Sequence, residues 1–183
     1  MTVAPPLTAG QGRTLSTAGL LADDVAGLTK AWGRLQNQWT ETVVGVRREL
    51  AESRLGERVN GEWSFIETLR HLIFVTDAWI GTGLVDSQTY HPLGLPPHFV
   101  TNGLELGLDL DAKPGLDAVL EARQSRRRTM ERALSIMADD QLDRPCLGRL
   151  ADFTRRGAVQ VVVAEECFHH GFAVRDLSAL RSQ

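Results

Sequence analysis

Cysteine is scarce in this sequence: two residues in 183, Cys146 and Cys167. That count excludes a disulfide framework and suits a reducing compartment, so a cytoplasmic protein is expected. Charge of one sign is also lacking. A net charge of -3 and a pI near 5.9 give nucleic acid or an anionic membrane no electrostatic hold. No apolar run approaches the length of a membrane span. There is no stretch of β-alternation, no internal repeat and no low-complexity segment. A Gly-rich phosphate loop is missing too, since Gly10-Gln11-Gly12 precedes no strand.

What is present is an ordinary globular balance, 43% hydrophobic and 23% charged residues, in a chain long enough for one domain with a real core. Residues 1–18, with Pro5, Pro6 and Gly10, read as a flexible leader, and 19–183 as a single domain.

Four helical segments follow from spacing. Leu21, Val25, Leu28, Trp32, Leu35, Trp39, Val43 and Val46 recur at steps of three and four, predicting a helix over 20–55. Ser64 and Glu67 form a capping-box pattern that opens a second helix, 65–85. A third is expected over 114–137, with Pro114 in its first turn, and a fourth over 158–180. The third carries Arg123, Arg126, Arg127, Arg128 and Arg132, read as a solvated face with Glu121 and Glu131 as partial partners; an anion-binding role is the alternative. Between the second and third helices runs a long irregular stretch, 86–113. A connection of that length has a topological reason in a bundle whose neighbouring helices run parallel. The expected fold is all-α: a four-helix bundle, up-down-down-up, with a long crossover loop between helices two and three.

Chemistry concentrates in Glu165-Glu166-Cys167-Phe168-His169-His170. Residues four apart share a helix face, so Glu166 and His170 can address one object, and a divalent metal would satisfy both. With helices two and four antiparallel, a rise of 1.5 Å per residue brings His71 to nearly the same level. His71, Glu166 and His170 are therefore the expected metal ligands, a set that suits zinc as well as nickel, iron or manganese and leaves coordination positions open. If the helix is turned by one residue, Glu165 faces inward instead. His169 lies about 100° from His170 and is assigned to a supporting or interfacial position. Glu67 caps helix two or orients a ligand; Arg175 pairs with an acid or contacts an anion. His91 and His98, in the crossover, are loop surface or a cover over the metal. Cys146, beside Pro145, has no histidine or acid nearby in sequence to activate it, and Cys167 points to another face of the helix and is assigned to packing.

The run Trp63-Ser64-Phe65-Ile66-Glu67-Thr68-Leu69-Arg70-His71-Leu72, then Asp77-Ala78-Trp79, Glu166-Cys167-Phe168-His169-His170 and Arg175-Asp176-Leu177, resembles the DinB/YfiT-like superfamily. The resemblance implies the same bundle with one divalent metal, held by a histidine of helix two and two residues four apart on helix four. Many members use three histidines. The His, Glu, His variant is similar to the metal-binding domain of mycothiol-dependent maleylpyruvate isomerase. It implies a thiol-dependent transferase or isomerase, using a low-molecular-weight thiol such as mycothiol on a small electrophilic substrate. The alternative is a non-catalytic metal-binding or stress-associated bundle; either can be a homodimer.

Overall fold

A computed structural model describes residues 22–182; the expected leader, 1–18, lies outside them. Helix α1 is Val25–Glu49, capped by the Asp24 carboxylate, which accepts from the Gly27 N–H at 2.7 Å. It is shorter than the periodicity predicts. Leu50 turns to an extended conformation, and residues 52–56 form a separate 3-10 turn. Helix α2, Phe65–Thr76, opens with both halves of the capping box: Glu67 N–H donates to Ser64 Oγ (3.2 Å) and Ser64 N–H to Glu67 Oε2 (2.8 Å). It continues through a π turn, Asp77–Gly81, and ends in Thr82–Leu84. Helix α3 is Leu116–Ser135, with Gly115 as N-cap, so Pro114 precedes the first turn. Helix α4 is Arg155–Arg181, capped by Thr154.

The ends of the helices fix the topology. At one end, the Val25 N–H donates to Asp139 just past α3 (2.8 Å), and Gln160 of α4 reaches the Ala22 carbonyl (3.5 Å). At the other, Arg47 of α1 pairs with Asp117 of α3, and Arg181 of α4 pairs with Glu49 of α1 at 2.5 Å. The start of α2, Phe65 and Leu69, packs by Trp39 and Val46, and its end, Val75 and Ile80, by Leu28 and Trp32. Helices α1 and α4 therefore run one way and α2 and α3 the other: the order is up-down-down-up. No helix among the described residues is long and apolar enough to cross a membrane.

The core divides in two along the bundle. One cluster joins Leu28, Trp32 and Leu35 to Val75, Ile80, Met130, Leu134, Val159, Val162 and Val163. The other joins Trp39 and Val46 to Phe65, Leu69, Ile73, Leu116, Val119, Ala173 and Leu177. Each fully buried Leu, Ile or Val contributes about 1.5–3 kcal/mol. Between the clusters α4 buries the carboxylate of Glu166, which α3 meets with Arg123.

The crossover, residues 85–115, lies against α2. Tyr90 and Leu108 pack on Phe74. The principal anchor is Arg70, a buried guanidinium that the sequence reading passed over. It donates to the carbonyls of Leu93 (3.0 Å), Asp109 (2.6 Å) and Ala112 (2.5 Å), while the Arg70 carbonyl accepts from the Leu95 N–H. Three carbonyls satisfy the fork geometry of the cation and hold the loop to the helix.

Candidate metal centre

Helix α4 carries two overlapping Glu/His pairs four residues apart, and the structure separates them by about 100° of rotation. Glu165 and His169 face α2. Glu165 Oε2 lies 3.4 Å from His71 Nε2 and 3.2 Å from His169 Nε2. One donor atom from each of His71, Glu165 and His169 falls within 4.8 Å of the others.

The expected set of His71, Glu166 and His170 is not brought together. Glu166 and His170 turn instead toward α1 and α3. Glu166, 1% exposed, accepts from Arg123 Nη2 at 2.9 and 3.2 Å. His170 Nε2 lies 2.9 Å from Thr42 Oγ1, and its ring stands edge-on to Trp39 at 4.9 Å. The cause is the apolar stripe of α4: Val159, Val162, Val163, Ala173, Leu177 and Leu180 are all buried, and Glu166 lies on that stripe, inside the core. Glu165 and His169 lie one step round, at the flank where α2 passes. Burial pushes the His170 imidazole below its ordinary value.

The other expected site residues have definite partners. Glu67 completes its capping box and accepts from Arg58 at 2.6 and 2.9 Å, away from His71. Burial alone would raise its carboxyl, but Arg58 and the Ser64 backbone hold it below the usual value. Arg175 pairs with Asp176 at 2.7 Å and with Glu62, its guanidinium 5.3 Å from the Phe172 ring centre. His91 gives its backbone N–H to Asp77 (2.8 Å) and its Nδ1 accepts from Leu93 (3.1 Å). Neither His91 nor His98 belongs to the three-residue group. The arginine row is partly internal: Arg123 holds Glu166, and Arg126 reaches Asp77 in the π turn at 2.8 Å. Burial nonetheless leaves the Asp77 carboxyl above its ordinary value.

Around the group, Trp63 sits 4.5 Å from the His71 ring and stacks on His169 at 5.9 Å. Phe172 stands edge-on to His169 at 5.8 Å. Phe168 and Phe172 are both exposed on the same helix.

The electrostatics point to a cation. His71 Nδ1 is 3.1 Å from the Leu95 carbonyl. A carbonyl only accepts, so this nitrogen carries a proton. Nε2 then meets the Glu165 carboxylate either as an N–H donor of a protonated ring or through a positive ion that both atoms bind. Burial would raise the Glu165 carboxyl, but hydrogen bonds from His169 and His71 outweigh it and hold it at about 2. It is thus a carboxylate at neutral pH. Two imidazole nitrogens and one carboxylate oxygen are a donor set that can hold a divalent metal, with its remaining positions open.

The family model described as the DinB superfamily matches residues 28–173. The chain belongs to the DinB superfamily. That match takes in all of α2 and α3, most of α1 and α4, and every residue of the His71, Glu165, His169 group. No curated protein and no solved structure matches the chain significantly.

Proposed function

We propose that this DinB-superfamily protein is a metal-dependent enzyme that activates a low-molecular-weight thiol, of the mycothiol type, for transfer to or isomerisation of a small electrophile, with the ion held by His71, Glu165 and His169. The observation carrying this reading is the convergence of His71 Nε2 and His169 Nε2 on one carboxylate oxygen of Glu165, with the Leu95 carbonyl behind the His71 ring. A divalent ion there would supply Lewis-acid chemistry, lowering the pKa of a thiol or water brought to it.

The chain's own residues do the rest. Leu95 sets the His71 tautomer, as second partners of metal-binding histidines do. Trp63 closes one side of the group, stacked on the His169 ring and tilted against that of His71. Phe168 and Phe172 offer an apolar lip for the body of a substrate. The protein's own thiols are poor nucleophiles, because burial pushes both Cys146 and Cys167 above the ordinary value. The reacting thiol then comes from outside. Two free cysteines and the use of a soluble thiol suit the cytoplasm. Zinc fits the nitrogen and oxygen donors, as nickel, iron and manganese do.

Elemental analysis of protein purified without a histidine tag tests the centre. One equivalent of metal is expected, lost in His71→Ala, Glu165→Gln and His169→Ala and retained in His170→Ala. Unchanged metal in the first three overturns the assignment. The thiol reading is tested by adding mycothiol or glutathione to cobalt-substituted protein. A shift of the visible bands is expected, and an unchanged spectrum with no adduct on a generic electrophile refutes it.

A further inference from the structure

The outward face of α4 carries no charge along most of its length. Arg155 and Arg156 precede Gly157, and Arg175 follows Val174. Between them the acids and histidines are Glu165, Glu166, His169 and His170, and all four are engaged within the bundle. Val161, Ala164, Phe168, Gly171, Phe172 and Val174 are left at the surface or its edge. Phe168, Phe172 and Val174 are 41%, 46% and 44% exposed. This stretch rises about 27 Å. A helix apolar nearly all round is normally covered all round, and a continuous exposed apolar strip marks a contact surface.

The flank of α1 beside this strip carries two charges without partners. Thr42 Oγ1 meets His170 Nε2 at 2.9 Å, and Gln38 and Glu41 lie close enough to act on the same imidazole. Arg34, one turn before Gln38, continues that line. Arg34 and Glu41 are exposed and hold no ion pair or hydrogen bond among the described residues. They have opposite signs and stand about 10 Å apart along the helix. Helices α1 and α4 run the same way, with Thr42 level with His170. The midpoint between Arg34 and Glu41 is therefore level with the Glu165–Glu166 peptide. That peptide is also the midpoint of the uncharged stretch from Gly157 to Val174.

We infer that two copies of this chain pair through this face, α4 against α4 and antiparallel, about a two-fold axis level with Glu165. Around that axis the surface complements itself in two respects at once. The uncharged stretch lies wholly upon its own counterpart, and Arg34 of each copy comes level with the partner's Glu41. A shift along the helix loses both matches, and a parallel pairing sets α1 beside the partner's α2 and loses the charge match. A different protein would have to supply both features, whereas a second copy already has them. Glu165 lies at the level of the axis, so the partner's α4 borders the mouth of the His71, Glu165, His169 group. The pairing does not rest on the proposed activity.

Sedimentation velocity of the full chain at micromolar concentration tests it. A particle of twice the 20.1 kDa chain mass is expected. Phe168→Glu should sediment as the monomer while its circular dichroism stays that of wild type. Arg34→Glu and Glu41→Arg each set like charges against one another at two symmetric points. Either change should weaken the dimer about tenfold, and the double variant, which reverses each pair, should restore wild-type affinity. A monomeric wild type overturns the pairing and leaves the face to residues 1–21 or to another protein. A Phe168→Glu variant that remains dimeric overturns it as well. A double variant as weak as the single ones overturns the antiparallel register.

Discussion

Replacing Glu166 by Gln separates structure from metal binding on a single helix turn. Glu166 is 2% exposed at its side chain and Arg123 11%, so the isosteric amide leaves a nearly buried guanidinium without its counter-charge. Breaking a buried pair from one side costs about 3–5 kcal/mol. The lower end applies here, because Arg123 lines an opening between α1 and α3 and can turn toward water, and the amide oxygen still accepts one hydrogen bond. A loss of about 3 kcal/mol in a domain of this size lowers Tm by about 6–12 °C. Thermal unfolding followed by circular dichroism measures it, and urea titration gives the same free energy from the midpoint. The double variant Arg123→Met, Glu166→Leu should recover most of the loss, since an apolar pair of similar volume avoids the desolvation of both charges. Metal content in Glu166→Gln should remain at the wild-type level, whereas Glu165→Gln should lose metal with a much smaller change in Tm. The reverse pattern, metal lost from Glu166→Gln and kept in Glu165→Gln, would refute the register assigned to α4.

Two further outcomes follow from the partners of α2. Arg70→Met should expose the crossover: its three carbonyl bonds are charge-assisted, and their removal should cost about 2–4 kcal/mol and open residues 86–113 to proteolysis, with Arg70→Lys failing to restore protection. Glu67→Gln keeps the capping box but loses the Arg58 pair. The Glu67 carboxyl is depressed in the fold, so its contribution is complete above the ordinary value of 4.5 and is lost as pH falls through the folded value. Wild type should therefore exceed Glu67→Gln in stability at pH 7, and the gap should narrow as pH falls below 4.5; a constant gap would contradict it.

The fold was legible because period and caps agreed. The apolar spacing of α1, the Ser64/Glu67 box and the length of the 86–113 connection together specify four helices and a crossover. Boundaries slipped where a local choice overrode the pattern, as at Leu50, which leaves the helix although apolar residues continue beyond it. In the candidate site His71 was legible; the face of α4 was not. Spacing by four fits Glu165/His169 and Glu166/His170 equally. Only the side chains arriving from elsewhere in the fold, His71 and Trp63 for one pair, Arg123 and Thr42 for the other, decide between them. One signal was available: Glu166 continues the apolar stripe of α4, and a charge on such a stripe calls for an internal counter-ion. Arg123, read as part of a solvated face, was that counter-ion.

Arg70 has a consequence for how this scaffold can change. It grips the crossover through main-chain oxygens, which every amino acid supplies, and Leu95 touches His71 in the same way. The identities of the loop side chains are thus largely decoupled from the scaffolding of the histidine. Residues such as Phe99 and Leu104, which face outward, are open to replacement while the donor cluster keeps its geometry. A library confined to the outward positions of 97–106 would vary what approaches this end of the bundle against a constant inner framework.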